Sequence, residues 1–417
     1  MTRLSSLRSH SVRRRVPLAL LVVTGLLSAC TSEVAAAPEP PAQQALPTLD
    51  QADASQRGTL ISSEPFEDVD PSIVDVGATA TRIVYWSTSG LDGQATAVSG
   101  VVFTPNAPVP GGTRPVVTFG HGTTGVTADC APSSYPNLLG YASTIVPLMK
   151  LGYVAVMTDY QGLGYQGPGS SPVHPYLEPD TSAYNMIDAV RAARAVSPAA
   201  SDKWAAMGVS QGGQAAWSAS ELADFYAPEL DFVGAVALAP ALDLTEQGTL
   251  ASSRFMSRDQ QVGFPFLVAG LTASVPDAVT DDYLHGTLSQ TPSDWIACTA
   301  DTAALSRRAG KIQNINPQDT VPSSPEAAAR LETWLDTIQL PRRTSAGPIL
   351  VVNGDSDQTV KPQWIAKAIE KACAMGDSID HIVRQGQGHN DLDPGAETAI
   401  WFEARFAGQP AAADVCA

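Results

Sequence analysis

The 417-residue sequence predicts an α/β protein: a mostly parallel central sheet flanked by helices, with a largely helical cap inserted late in the chain. Two observations carry this expectation. Short continuous apolar runs recur between helix-prone stretches, and one connection is far longer than a helix and two loops need. The runs fall at 115–119, 153–157, 204–208, 232–238 and 349–352. Such runs indicate strands buried on both faces, as in a parallel sheet covered by helices. Ahead of them, 81–86 and 97–103 are β-rich, and the second runs into a Pro-rich turn, which suits an antiparallel entry hairpin. Helical spacing marks 141–151, 182–196 (behind the cap candidate Thr181), 212–226, 326–338 and 362–374. Strand and helix alternate, which sets the class. The long connection places the cap at 241–341, over the carboxyl edge of the sheet, between two parts of the core at 61–240 and 342–417. Its apolar stretch 262–272 reads chiefly as packing of the cap itself.

The first 29 residues stand outside the fold. Arg3, Arg8 and Arg13-Arg14-Arg15 precede the apolar segment 16–27, which is too short for a comfortable membrane span, so the pair reads as an export signal. It ends Leu27-Ser28-Ala29-Cys30, the form of a bacterial lipobox, in which the cysteine is lipidated and becomes the mature N-terminus. Membrane association through Cys30 follows, making a cell-surface lipoprotein. Ordinary cleavage near Ala35-Ala36-Ala37, leaving a fully secreted protein, is the alternative. Residues 30–60 are rich in Ala, Pro, Gln and Asp and read as a flexible tether, because they offer too little apolar surface to offset chain entropy.

Losing the five leader arginines, with no acids beside them, takes the formal charge from −17 to −22. No Lys/Arg cluster remains to track a phosphate backbone, which argues against a nucleic-acid partner. The acidity suits solubility outside the cell. Besides Cys30 the chain has Cys130, Cys298, Cys373 and Cys416. Four cysteines in an exported chain point to two disulfides, with three pairings open. None sits in a C-x-x-C or His-rich pattern, so no metal site is expected.

The chemistry lies in Gly208-Val-Ser210-Gln211-Gly212, which follows an apolar run and precedes an Ala-rich helical stretch. This is the G-x-S-x-G nucleophile elbow, where a serine sits on a strained strand-to-helix turn and flanking side chains would collide. A serine nucleophile needs a base, and the base needs a carboxylate to orient it. With this elbow the chain order is Ser, acid, His. Asp357 is the candidate acid, in the Gly354-Asp-Ser-Asp357 turn after 349–352, with Asp355 as its rival. An acid at the carboxyl end of a parallel strand faces the crevice where ligands bind. His389 is the candidate base, in a Gly-rich loop after the last strand. His121 precedes the serine and breaks the order; His174, His285 and His381 read as structural.

Acyl transfer also needs two backbone N–H groups aimed at the developing oxyanion. Gln211 is expected to supply one. Gly122 or Thr123, in the loop Gly120-His121-Gly122-Thr123-Thr124-Gly125, is expected to supply the other. The segment Asp159-Tyr-Gln-Gly162 is expected to shape the crevice rim, with Asp159 as a turn hydrogen-bonder.

Taken together, the loop ending Ala128-Asp129-Cys130, the Asp159-Tyr-x-Gly162 segment, the elbow, the long cap, the Gly354-x-x-Asp357 turn and the Gly388-His389 loop resemble the secretory lipases of the α/β-hydrolase fold, a yeast lipase A-like family. The chain departs from the yeast pattern in reading His121-Gly122-Thr123-Thr124-Gly125, where those enzymes use an acidic residue near the oxyanion loop. The resemblance implies a serine hydrolase cleaving carboxylic esters of small molecules or lipids, without a cofactor. It also implies the disulfides Cys130–Cys298 and Cys373–Cys416. A serine peptidase or acyltransferase would use the same triad, since fold does not set substrate. A non-catalytic surface lipoprotein is the remaining alternative.

Overall fold

The computed structural model describes residues 41–49, 54–109, 112–411 and 414–416. The export signal, Cys30 and the first part of the expected tether lie outside them. Among the described residues nine strands form one sheet: β1 (Leu60–Pro65), β2 (Ala78–Thr88), β3 (Ala95–Pro105), β4 (Arg114–Gly120), β5 (Val154–Thr158), β6 (Ala200–Val209), β7 (Asp231–Leu238), β8 (Ile349–Gly354) and β9 (Ile379–Arg384). Their order is β1-β2-β3-β5-β4-β6-β7-β8-β9. From β5 to β9 every pairing is parallel. The hairpin β2–β3, with β1 beside it, joins antiparallel onto β5. Each apolar run singled out in the sequence is a strand of this sheet, and the entry hairpin is antiparallel as expected.

Two-residue periodicity sorts the strand side chains into two cores. Val116, Trp204, Ala206, Ile349 and Val351 face one side, under helices Pro179–Val196, Gln211–Tyr226 and Pro362–Met375. Val117, Phe119, Ala205, Met207, Leu350 and Val352 face the other, under helices Ala142–Lys150 and Gly395–Phe406. Both faces are dry, which is why these strands show no polar alternation.

Between β7 and β8 the chain is helical, with Glu246–Ser253, Arg258–Ser274, Thr302–Lys311 and Pro325–Ile338 as its longer elements. Leu250, Phe264, Leu271 and Trp334 from this insertion share one core with Trp217 and Leu222 of the sheet-covering helix. The described residues, from 41 onward, form a single compact unit. The apolar content of 262–272 accordingly serves packing, with Val262 and Phe266 left over to face the site described below.

Three sequence expectations change. Helix Pro179–Val196 is capped by Glu178, whose carboxylate accepts from the N–H of Asp180 and Thr181 at 3.2 and 2.7 Å, so Thr181 is inside the helix. Pro179 in the first turn lacks only an N–H that would have no partner there anyway. Part of the expected tether is ordered: Leu49 is buried, and the Gln44 N–H donates to the Arg342 carbonyl at 2.8 Å. Backbone pairing of this kind leaves no trace in composition. The third change concerns cysteines. Cys373–Cys416 is bridged, but Cys130 and Cys298 are free, buried thiols. Cys298 Sγ lies 3.3 Å from the Asp129 carbonyl and Cys130 Sγ 3.2 Å from Thr127 Oγ1, so each sulfur is engaged by oxygen. Burial pushes the Cys130 thiol up to about 12, which disfavours its thiolate. No described helix is long and apolar enough to cross a membrane.

The bridge to Cys416 holds a tail that also binds β9: the Val415 N–H donates to the Ile379 carbonyl at 2.8 Å, and Asp414 accepts from the Ile379 N–H at 3.1 Å. Cys373→Ser is expected to lower unfolding stability by about 3 kcal/mol, seen as a lowered urea midpoint. An unchanged midpoint would assign the tail's anchorage to Asp414 instead.

Candidate active site

The elbow forms because strand β6, the following helix and the loop after β4 meet at backbone distance. A Cβ on Gly208 would lie 2.0 Å from the Gly212 carbonyl oxygen, and one on Gly212 would lie 1.9 Å from that of Gly120. Only glycine fits at either place. Ser210 between them takes φ +56°, ψ −114°, a conformation that costs a non-glycine residue on the order of 1–3 kcal/mol and is held by its surroundings. Its N–H donates to the Leu238 carbonyl at 2.8 Å, which ties the turn to the end of β7.

The structure brings Ser210, His389 and Asp357 together in one line. His389 Nε2 lies 2.9 Å from Ser210 Oγ, and His389 Nδ1 lies 2.6 Å from Asp357 Oδ2. Asp357 is buried, and its other oxygen accepts the N–H groups of Thr359 and Val360 at 2.8 and 2.9 Å. A carboxylate only accepts, so Nδ1 carries the proton, and in the neutral ring Nε2 turns its lone pair to the serine. The rival Asp355 is exposed and serves otherwise. It accepts the Gly386 N–H at 2.7 Å and thereby holds the histidine loop against β8. A Cβ on Gly354 would lie 2.0 Å from the Gln387 carbonyl oxygen, so that contact too needs a glycine.

The expected N–H donors belong to two segments that adjoin Ser210, the head of the following helix and the loop after β4. Gln211 is the first residue of helix Gln211–Tyr226, where the N–H has no carbonyl of its own helix to meet. Gly122 and Thr123 differ. The Gly122 N–H donates to Tyr141 Oη at 2.8 Å, while among the described residues no acceptor takes the Thr123 N–H. Thr123 is therefore the donor left free.

The other described histidines are tied down. His121 is buried between Tyr160 and Tyr141, with Nδ1 2.7 Å from the Gly122 carbonyl, and burial lowers its pKa. His285 and His381 bind the Val321 carbonyl and Asn353 Oδ1 at 2.9 and 2.7 Å. His174 contacts the Gln211 side chain, a position no sequence pattern announced. Tyr141 and Tyr176 were also not foreseen, since a lone tyrosine in an amphipathic stretch reads as core. Asp159 is a hydrogen-bond hub: it accepts from Ser99 Oγ at 2.6 Å and from the N–H and Oγ of Ser133 at 2.9 and 2.5 Å. Burial raises its pKa, against the pull of these donors.

Metal-ligating atoms gather at one place among the described residues, where those of Asp129, Cys130 and Cys298 lie within 4.8 Å of one another. Ligation there would need thiolates, and burial disfavours the charged form of Cys130.

Ser210 and His389 open into a cavity of about 830 Å³. One wall, between helices Ala142–Lys150 and Gly395–Phe406, presents Leu148, Leu151, Met207, Ala399 and Phe402. The other, from the inserted helices, presents Val262, Phe266, Arg308 and Ile312. The lining as a whole is mainly apolar, with Arg258, Asp259 and Arg308 as its charged members.

The sheet order, the elbow and its cap define the α/β-hydrolase fold. Within that class, the secretory lipase family model matches residues 140–277, which include Ser210, so the resemblance read from the sequence is borne out. A probable inactive lipase of Mycobacterium tuberculosis is 26% identical over 376 residues, covering 85% of this chain and 79% of its own. Candida antarctica lipase A in its closed state superposes with TM-score 0.66 at 19% identity, over 86% of this chain and 84% of that one. The rice cell wall degrading esterase LipA from Xanthomonas oryzae superposes with TM-score 0.63 at 19% identity, over 84% of this chain and 97% of that one.

Proposed function

We propose that the protein is an exported serine hydrolase that cleaves carboxylic esters through Ser210, His389 and Asp357. The observation that carries this reading is the continuous hydrogen-bonded line from Asp357 through His389 to Ser210, ending at a cavity of about 830 Å³. The secretory lipase match supports ester hydrolysis and export. One relative is named a probable inactive lipase; the presence and mutual contact of all three side chains here support activity.

In this mechanism Ser210 Oγ attacks the ester carbonyl carbon while His389 Nε2 takes its proton. Asp357 steadies the resulting imidazolium. The N–H groups of Gln211 and Thr123 stabilise the tetrahedral oxyanion. Collapse breaks the carbonyl–alkoxy bond, and His389 returns the proton to the leaving alcohol. Water then attacks the acyl-enzyme, again losing a proton to His389, and the carboxylic acid leaves as Ser210 is restored.

A fluorophosphonate probe is expected to label wild type and not Ser210→Ala. Asp357→Asn is expected to lose on the order of 10⁴ in kcat, and Asp355→Asn far less. A panel of p-nitrophenyl esters, triglyceride emulsions and peptidyl amides is expected to show turnover on esters. Turnover confined to amides, or acyl transfer to added alcohols without hydrolysis, would favour the peptidase or acyltransferase reading. No labelling of wild type would remove every enzymatic reading.

The acyl chain lies, in this reading, along the wall of Leu148, Met207, Ala399 and Phe402, whose surface takes hydrocarbon without leaving a polar group unpaired. Ala399→Trp fills this wall from a half-buried position. The ratio of long-chain to short-chain ester turnover is expected to fall about tenfold or more, the worth of one or two lost methylene contacts. An unchanged ratio would put the chain on the other wall.

The mature N-terminus is, in the same reading, a lipidated Cys30. Mass spectrometry of the exported protein is expected to find the modified cysteine; an unmodified terminus beyond residue 30 would make the protein fully secreted.

A further inference from the structure

Behind the elbow, the loop that leads into helix Pro179–Val196 touches both sides of the oxyanion site. We propose that His174 and Tyr176, two residues apart on this loop, are positioning residues: His174 fixes Gln211 and Tyr176 fixes Thr123, so that one segment sets the spacing of both oxyanion donors. This rests on the reading of Ser210 as the nucleophile.

The His174 half follows from hydrogen-bond bookkeeping. His174 is 4% exposed, and its Nδ1 lies 2.9 Å from the Gln161 carbonyl oxygen. A carbonyl only accepts, so Nδ1 carries the proton. Burial lowers the ring's pKa to about 4, which keeps it neutral and leaves a lone pair on Nε2. Gln211 Nε2 donates to that lone pair at 2.9 Å. The side chain of the residue after Ser210 is thereby pulled back into the core and away from the cavity, and its N–H stays at the head of the helix.

The Tyr176 half is built on the next turn of the same segment. Tyr176 Oη and Thr123 Oγ1 are 2.7 Å apart, and both residues line the cavity beside Ser210. The Tyr176 ring packs edge-on to His174 at 6.2 Å and against Phe266 of the inserted helix at 5.9 Å. The Gly122 N–H is taken by Tyr141, so of the two candidate donors Thr123 is the one whose N–H is free.

The loop itself is held in place at some cost. Leu177, buried and next to Tyr176, has φ +61°. Strain of this sort persists only where the surroundings over-determine it, and it collects at functional sites. Gly162, at φ +83°, is the other condition: a Cβ there would lie 2.3 Å from the backbone of Val173 and His174. The Asp159-Tyr-Gln-Gly162 segment thus supplies both the carbonyl that sets the tautomer of His174 and the glycine that lets the loop approach.

The test compares His174→Phe, which keeps an aromatic ring without the hydrogen bonds, with His174→Gln, whose amide can accept from Gln211 and donate to the Gln161 carbonyl. Tyr176→Phe removes a single oxygen and serves as the variant least able to disturb folding. Each is assayed for kcat and KM on p-nitrophenyl butyrate, for inhibition by an alkyl boronic acid that forms a tetrahedral adduct on serine, and for fluorophosphonate labelling. His174→Phe and Tyr176→Phe are expected to lose about 10- to 100-fold in kcat, less than deletion of an oxyanion donor outright, with KM within about threefold. Boronate affinity is expected to fall in step with kcat, and His174→Gln to recover most of both. Loss expressed in KM alone, boronate affinity that stays at the wild-type value, or His174→Gln as impaired as His174→Phe would overturn the clamp. Should His174→Phe fail to fold, Tyr176→Phe decides by the same criteria. Absence of labelling in wild type would overturn the nucleophile assignment itself, and is distinguished from failure of the clamp, in which wild type labels and the variants match it.

Discussion

The site depends on a contact between bare backbones. Where β4 and β6 end, the first turn of helix Gln211–Tyr226 comes close enough that Cβ atoms on Gly208 or Gly212 would sit about 2 Å from carbonyl oxygens. That approach sets the remaining geometry. It turns the chain at Ser210 into positive φ and puts the head of the helix, with the Gln211 N–H, beside the loop after β4. A side chain at either glycine would force these backbones apart.

Buried polar groups then lock the loops around that contact. Asp159 gathers Ser99 and Ser133, the Tyr160 hydroxyl donates to the His121 carbonyl at 3.1 Å, and Asn185 accepts the Gln161 N–H at 2.8 Å. Each interaction is worth little net, about 1 kcal/mol, but a buried partner left unsatisfied costs about 1–3 kcal/mol. The network therefore acts more by penalising displaced loops than by adding stability. It accounts for one buried acid, Asp159, in a chain with an excess of acidic residues.

The inserted helices are bound to the same scaffold. Phe264, Leu271 and Trp334 are continuous with the core around Trp217, while Phe266 on the same helix turns toward Tyr176 and the cavity. One helix thus divides its faces between anchoring and site. The cap needs no second core, and the cavity wall it supplies is positioned by the packing that holds the sheet.

What the sequence determined by itself was whatever local pattern encodes. Buried strands appear as apolar runs because both faces of the sheet are covered. The elbow is legible because its glycines are required within five residues of the serine, and the Ser210, Asp357, His389 order follows from where sheet strands end. Tertiary structure decided the choices that rest on distance between remote segments. It separated Asp357 from Asp355, which share a turn but meet His389 and Gly386 respectively. It freed Thr123 by occupying Gly122 with Tyr141, moved the helix cap from Thr181 to Glu178, and left Cys130 and Cys298 as thiols. His174 shows the reason most plainly. Its partners, Gln161 and Gln211, lie 13 and 37 residues away, and neither spacing corresponds to any helix or strand period.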